Sequence, residues 1–139
     1  MTQNCYATAL RKASRRLTGL YDGLMAPSGL RSTQFVILSE LVNGPVAINE
    51  LAHALVLDRS GLGHSLRPLQ RDGLIRLDPD PADRRSVRVT LTEDGLRRQR
   101  QAAVLWQAAQ DRVVEVLGAP VANDLRALLN AIAQDDRLA

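Results

Sequence analysis

Apolar residues recur at three- and four-residue spacing along most of the chain. Tyr6, Leu10, Ala13, Leu17, Leu20 and Leu24 form one stripe, with Arg11, Lys12, Arg15 and Arg16 opposite. That spacing predicts an amphipathic helix over residues 5–26, ended by Pro27 and Gly29. Ser32 is the expected cap of a second helix carrying Phe35, Leu38, Leu41 and Val42, and Asn43, Gly44 and Pro45 close it. Ile48, Leu51, Ala52 and Leu55 give a short third helix, and Asp58 is placed to cap a fourth. After Gly73 the period falls toward 2. Residues 74–78 and 86–92 read as two strands joined by the hairpin tip "PDPADRR", 79–85. Thr92 then caps a long helix over about 93–117, with Glu93 and Asp94 in its first turn. Gly118 and Pro120 break it, and Val121, Leu125, Leu128, Leu129 and Ile132 line a last helix. The expected fold is mainly α with a small β-hairpin wing, without internal repeat or second domain.

The fourth helix is patterned but poorly built. Leu62, Leu66 and Leu69 sit at i, i+4, i+7, yet Gly61, Gly63 and Pro68 interrupt the segment. Each Gly costs ~1 kcal/mol relative to Ala and an interior Pro ~3 kcal/mol. With the leucines inward, Ser60, His64, Arg67 and Arg71 fall within about 40° of the opposite direction. A helix that docks by leucines and presents hydrogen-bonding side chains outward has the makeup of a recognition helix. Bare glycine backbone at its first turn suits close approach to a phosphate strand or a base edge. On that reading a side chain at Gly61 should spare folding and impair DNA binding. Pro68 should bend the helix beyond its groove-entering half.

Composition adds little by bulk and more by residue type. The net charge of +3 over 139 residues does not announce nucleic acid, but 17 of the 18 basic residues are arginine. Arginine suits bidentate contacts to phosphate and guanine; a GC-rich genome would also enrich it. Charge is uneven, net +3 over residues 1–47, +1 over 48–92 and −1 over 93–139. At the hairpin tip, Arg84 and Arg85 follow Asp83, and such a tip suits a minor groove, whose negative potential attracts Arg. The single cysteine, Cys5, excludes an intramolecular disulfide and a multi-cysteine metal site. No apolar run approaches the ~20 residues of a membrane span, and no signal peptide is evident. A cytoplasmic protein without membrane association is the expectation.

From Gln34 through Gly95 the sequence resembles the MarR family of bacterial transcriptional regulators. The carrying stretches are "TQFVIL" (33–38), "INELAHAL" (48–55), "LDRSGLGHSLRPLQRDGLI" (57–75) and above all "DRRSVRVTLTEDG" (83–95). The last matches the family's D-x-R…LT-x-x-G wing signature. The resemblance implies one domain over 1–139, with a winged helix-turn-helix over 31–92 and helical dimerisation regions over 1–30 and 93–139. It implies a homodimer on a pseudo-palindromic duplex, repression, and release by an unknown small-molecule effector, with no cofactor. Arg85 would enter the minor groove, braced by Asp83. The candidate DNA contacts are Ser60, Gly61, Gly63, His64, Ser65, Arg67, Arg71, Asp83, Arg84 and Arg85. Leu10, Leu17, Val121, Leu125, Leu128 and Ile132 are the candidate dimerisation residues.

The sequence departs from the family at two places. Where many members read S-T-x-T-R early in the recognition helix, this chain reads Ser60, Gly61, Leu62, Gly63, His64. The N-terminus is similar to the organic-peroxide-sensing branch, in which a cysteine opens the first helix beside two tyrosines. Here Ala7 stands at the sensing position with Cys5 two residues upstream. Tyr21 matches one tyrosine and Ser32 replaces the other. Cys5 thus reads as an incidental thiol, with a redox-sensing residue as the alternative.

Two other function classes fit the residues less well. For an enzyme, Gly61-x-Gly63 is only the start of a dinucleotide fingerprint, because Leu66 fills the third glycine position. His53, His64 and Cys5 show no spacing for a metal or Cys–His site. A winged helix that binds protein instead of DNA would lack steep salt dependence on random duplex.

Overall fold

The computed structural model describes residues 2–139. A 3₁₀ turn at Thr2–Asn4 leads into helix α1 (Tyr6–Met25) and a second 3₁₀ turn, Ala26–Ser28, closed by Gly29 at φ 75°. Helix α2 is Ser32–Glu40. Its N-cap is Arg31, not the expected Ser32. The Arg31 amide donates to Gln34 Oε1 (2.9 Å) and the Ser32 amide to Asp22 Oδ1 (2.7 Å). The Asp22 carboxylate comes from α1, ten residues upstream, so no local spacing signals it. Val42, expected inward, is exposed because α2 has already ended, and Ile37 is buried beside Phe35 and Leu38 instead.

A strand unforeseen in the sequence follows. β1 (Val46–Ala47) pairs antiparallel with β3 (Asp83–Leu91), Val46 opposite Val89 and Ala47 opposite Arg88. Pro45 precedes β1 and has no N–H with which to extend the ladder, so the strand is too short for a periodic signal. β2 (Ile75–Asp80) pairs along the other side of β3, giving the order β1-β3-β2.

Between β1 and β2 lie α3 (Ile48–Ala54) and α4 (Arg59–Arg71). The turn joining them holds Val56 at φ 54°, an unusual conformation for a β-branched residue. The Leu57 amide, bonded to the Ala52 carbonyl at 2.9 Å, helps fix that turn. Helix α5 (Glu93–Leu117) has the expected bounds, and Gly118 at φ 84° turns the chain into α6 (Ala119–Ala133).

One core serves the winged unit. Met25, Leu38, Leu51, Leu62, Leu69 and Val89 are fully buried, drawn from α1, α2, α3, α4 and β3. Half-buried Leu105 and Trp106 extend this core onto α5, where the Trp106 ring lies 5.8 Å from that of Phe35. Tyr21 of α1 donates its hydroxyl to Gln110 Oε1 of α5, and burial pushes its pKa above the ordinary value. Helix α6 contributes nothing to this core and buries none of its residues. Among the described residues, no helix is long and apolar enough to cross a membrane.

Candidate nucleic-acid interface

The fourth helix forms despite its composition because both its end and its face are fixed. The Asp58 carboxylate accepts from the Gly61 amide at 2.5 Å, satisfying one donor that a helix start leaves open. Leu62, Leu66 and Leu69 are buried, and burial of each such side chain contributes roughly 1.5–3 kcal/mol. That is enough to offset the two glycines and Pro68, and the helix continues through Pro68 to Arg71.

The outward row emerges as the spacing requires. Ser60, His64, Arg67 and Arg71 are all exposed. Arg71 makes a 3.3 Å contact to Asp72, open to solvent on both sides, which contributes little. Arg67 has no ion-pair partner among the described residues. Ser65 differs from the row. It is half-buried, and its hydroxyl donates back to the Gly61 carbonyl at 3.2 Å.

The two glycines also differ from one another. A Cβ on Gly63 would meet nothing within 4 Å. A Cβ on Gly61 would lie 3.0 Å from Asp58 Oδ1, pressing on the capping carboxylate. Gly61 therefore has a reason inside the chain, whereas Gly63 has none.

The wing is more ordered than a seven-residue tip. β2 and β3 run through most of "PDPADRR", leaving only Pro81 and Ala82 as the turn. Asp83, Arg84 and Arg85 are exposed residues of β3, not of a loop. The strands meet again at Asp80 and Asp83 beyond a register shift after Pro79, and two carboxylates satisfy local amides in the tip. Asp80 Oδ1 accepts from Ala82 (2.9 Å) and Asp83 Oδ1 from the backbone N–H of Arg85 (3.0 Å). Asp83 thus braces Arg85 through its main chain, and the guanidinium is left to solvent.

The wing is anchored to α5 by a contact whose reason lies in the fold. Thr92 Oγ1 donates to the Gly73 carbonyl (2.7 Å) and accepts from the Gly95 amide (3.0 Å). Gly95 is buried, and a Cβ there would overlap the Leu74 carbonyl oxygen.

A protein of known structure shares this arrangement over most of its length. The DNA-bound structure of the M. tuberculosis transcriptional regulator MosR superposes with a TM-score of 0.85 at 32% identity, over 94% of this chain and 95% of that one. A family model described as MarR family matches residues 28–86. The chain belongs to the MarR family. Within that family it is similar to CouR bound to a 23-mer DNA duplex, at 29% identity and TM-score 0.84 over 95% of this chain and 94% of that one. It is also 39% identical over 87 residues to the transcriptional repressor NicR of Pseudomonas putida, covering 62% of this chain and 55% of NicR. The aligned region spans about half the length of the curated relatives it matches. These MarR-family relatives are regulators of transcription, and MosR and CouR carry DNA in their structures.

The remaining candidates lie elsewhere on the MarR fold. Cys5 is exposed at the N-cap of α1. The Thr8 hydroxyl, then the Thr8 and Ala7 amides, hold its thiol below the ordinary pKa. Tyr21, the matching tyrosine of the peroxide-sensing pattern, is bonded to Gln110 of its own chain. Leu10, Val121, Leu128 and Ile132 are exposed, while Leu17 and Leu125 are half-buried. Among the described residues no group of three or more His, Cys, Asp or Glu is arranged to hold a metal ion.

Proposed function

We propose that this chain is a DNA-binding transcriptional repressor that acts as a homodimer on a pseudo-palindromic operator and is released by a small-molecule effector. The observation that carries the reading is the pairing of two exposed handles on one buried core. Ser60, His64 and Arg67 face outward from a leucine-docked helix, and Arg84 and Arg85 extend from the adjoining wing. The first set suits major-groove base edges and the second a minor groove. The DNA-bound relatives support it, and the repressor sense follows NicR. Effector release draws support from the CouR structure with p-coumaroyl-CoA. The reading is non-enzymatic and places the protein in the cytoplasm, at chromosomal DNA.

Homodimerisation rests on apolar surface that the single chain leaves uncovered. Val121, Leu128 and Ile132 of α6, with Leu10 of α1, are 42–60% exposed. Sedimentation at micromolar concentration in moderate salt should give the mass of two chains.

The deciding experiment is selection of bound sequences from a random duplex pool, followed by binding at several salt concentrations. Recovered sites should contain two half-sites ~10 bp apart, and affinity should fall steeply with salt. Recovery of no preferred sequence, with weak binding indifferent to salt, would identify a protein-binding winged helix instead.

A further inference from the structure

One hydrogen-bonding pair of the sheet has no main-chain partner among the described residues. The Thr92 amide donates to the Leu74 carbonyl at 3.2 Å, on the β2 side of β3. Neighbouring residues of an antiparallel strand aim their N–H and C=O groups at opposite edges, so half-buried Leu91 aims both of its groups at the β1 edge. There Val46 pairs with Val89, and the register carried two residues further puts Gly44 opposite Leu91. Gly44 does not complete the ladder. Its amide donates instead to the Leu41 carbonyl (3.2 Å), and among the described residues no main-chain bond joins it to Leu91. Main-chain groups that the fold leaves open are completed by water or a ligand.

Leu91 lines a cavity of about 240 Å³ between the end of α2, the turn before β1 and the start of α5. Leu41, Val42, Pro45 and Leu96 give it apolar walls. Val42, which the helical period placed inward, lies 43% exposed on this cavity instead. The volume is below the ~300–1,000 Å³ of pockets for drug-sized ligands and above the ~150 Å³ that holds a benzene ring. The space therefore suits a single ring.

The polar edge of that ring needs a donor beside an acceptor, to meet the Leu91 C=O and N–H together. An added strand does not fit, because β1 pairs at Val89 and α5 begins at Glu93, leaving one residue open between them. Glu93 also lines the cavity, exposed and in no ion pair among the described residues. Its carboxylate disfavours an anionic occupant.

We propose that this cavity binds a small neutral ring bearing a cyclic amide, paired to the Leu91 main chain, and that its occupancy loosens the grip on DNA. The ring C=O accepts from the Leu91 amide and the ring N–H donates to the Leu91 carbonyl. The inference rests on the repressor reading and names the site and chemistry of its effector. Thr92, which also lines the cavity, anchors the wing to α5, and β3 connects it to Arg84 and Arg85. A ring wedged between the end of α2 and the start of α5 bears on that joint. It shifts the DNA equilibrium by as much as it prefers the DNA-free form.

The test follows the amide NMR signals of the full chain during titration with 2-pyridone, a one-ring cyclic amide. N-methyl-2-pyridone, which keeps the ring and loses the donor, is the control. 2-Pyridone should give saturable shifts centred on the Leu91 and Gly44 amides, and N-methylation should weaken binding about tenfold. Val42→Trp, which fills the cavity from an exposed position, should abolish the shifts while circular dichroism stays unchanged. Should that variant unfold, the two compounds compared on wild type decide alone. Saturating 2-pyridone should weaken operator binding by wild type about tenfold and leave that of Val42→Trp alone. Equal affinity for the two compounds, shifts centred elsewhere, or no shifts overturns the site. Shifts at Leu91 with operator affinity unchanged overturn its regulatory role and leave the repressor reading standing. A chain that binds no duplex overturns the repressor reading, while the shifts, read without DNA, still decide the site.

Discussion

Gly95 lies directly against the main-chain carbonyl of Leu74, with no room for a side chain between them. This is where α5 begins and where β2 leaves α4, so one close contact sets the angle between the wing and the long helix. The obstacle is backbone and cannot swing aside. Gly95→Ala should therefore destabilise the fold by about 1–3 kcal/mol or more through overpacking, read as a lower denaturant midpoint. Thr92→Ala removes the cap on the same turn and should cost about 0.5–2 kcal/mol, with Thr92→Ser recovering most of it. A Gly95→Ala chain as stable as wild type would show that the two elements separate freely.

The motif "LTEDG" was legible in the sequence as a family signature, and its physical reason was not. Spacing can place Thr92 as a cap, but a clash with a carbonyl twenty-one residues upstream is a tertiary fact. The same division holds elsewhere. Leu62, Leu66 and Leu69 announced their burial through helical period, and α5 ended where Gly118 said it would. The short strand β1 was invisible because two residues have no period. Asp22 capping α2 was invisible because the acceptor comes from another helix. The wing tip reads as loop because Pro and Asp are turn formers, whereas β2 and β3 pair once more at Asp80 and Asp83, beyond a register shift after Pro79 that no local spacing signals.

The glycines of α4 now separate into two cases. Filling Gly61 pushes on Asp58 Oδ1 at 3.0 Å and disturbs the cap, so the gain in helix propensity is offset by capping loss. Gly61→Val is not the clean test that the sequence alone suggested. Gly63→Ala is cleaner, because its Cβ enters open space. It should stabilise the protein by about 0.5–1 kcal/mol and weaken operator binding if bare backbone meets the duplex there. Paired thermal melts and binding titrations measure both. Unchanged operator affinity would remove Gly63 from the interface.

Cys5 has a thiol held below its ordinary pKa chiefly by the Thr8 hydroxyl. A lowered pKa enlarges the thiolate fraction near neutral pH, so alkylation of Cys5 should run faster than for a free cysteine. Its half-maximal rate should fall at lower pH. Thr8→Val should move that midpoint upward, toward the ordinary thiol value. Reactivity alone does not make a sensor, and Tyr21 is engaged with Gln110. Cys5→Ser and wild type are therefore expected to hold operator DNA equally with and without an organic hydroperoxide. Release of wild type alone by peroxide would establish redox control through this residue.

Arg67 and Arg85 divide the reading of DNA between the two grooves. Arg67 stands exposed on the outward row of α4, without an ion-pair partner among the described residues. The major groove there distinguishes all four base pairs, and an arginine bidentate to guanine is worth ~1–3 kcal/mol of discrimination. Arg67→Ala should therefore relax preference at one position in each half-site. Arg85 is different, because its backbone is pinned by Asp83 while its guanidinium extends from the exposed end of β3. The minor groove offers mainly shape and A·T-versus-G·C content. Arg85→Ala should weaken binding to operator and random duplex alike and reduce the salt slope by about one. Asp83→Asn tests the bracing separately, since it keeps an acceptor for the Arg85 amide; its affinity should stay closer to wild type than that of Asp83→Ala. Binding isotherms at four salt concentrations, on operator and on scrambled duplex, resolve these effects. Should Arg85→Ala leave both affinity and slope unchanged, the wing does not touch DNA, and recognition falls to α4 alone.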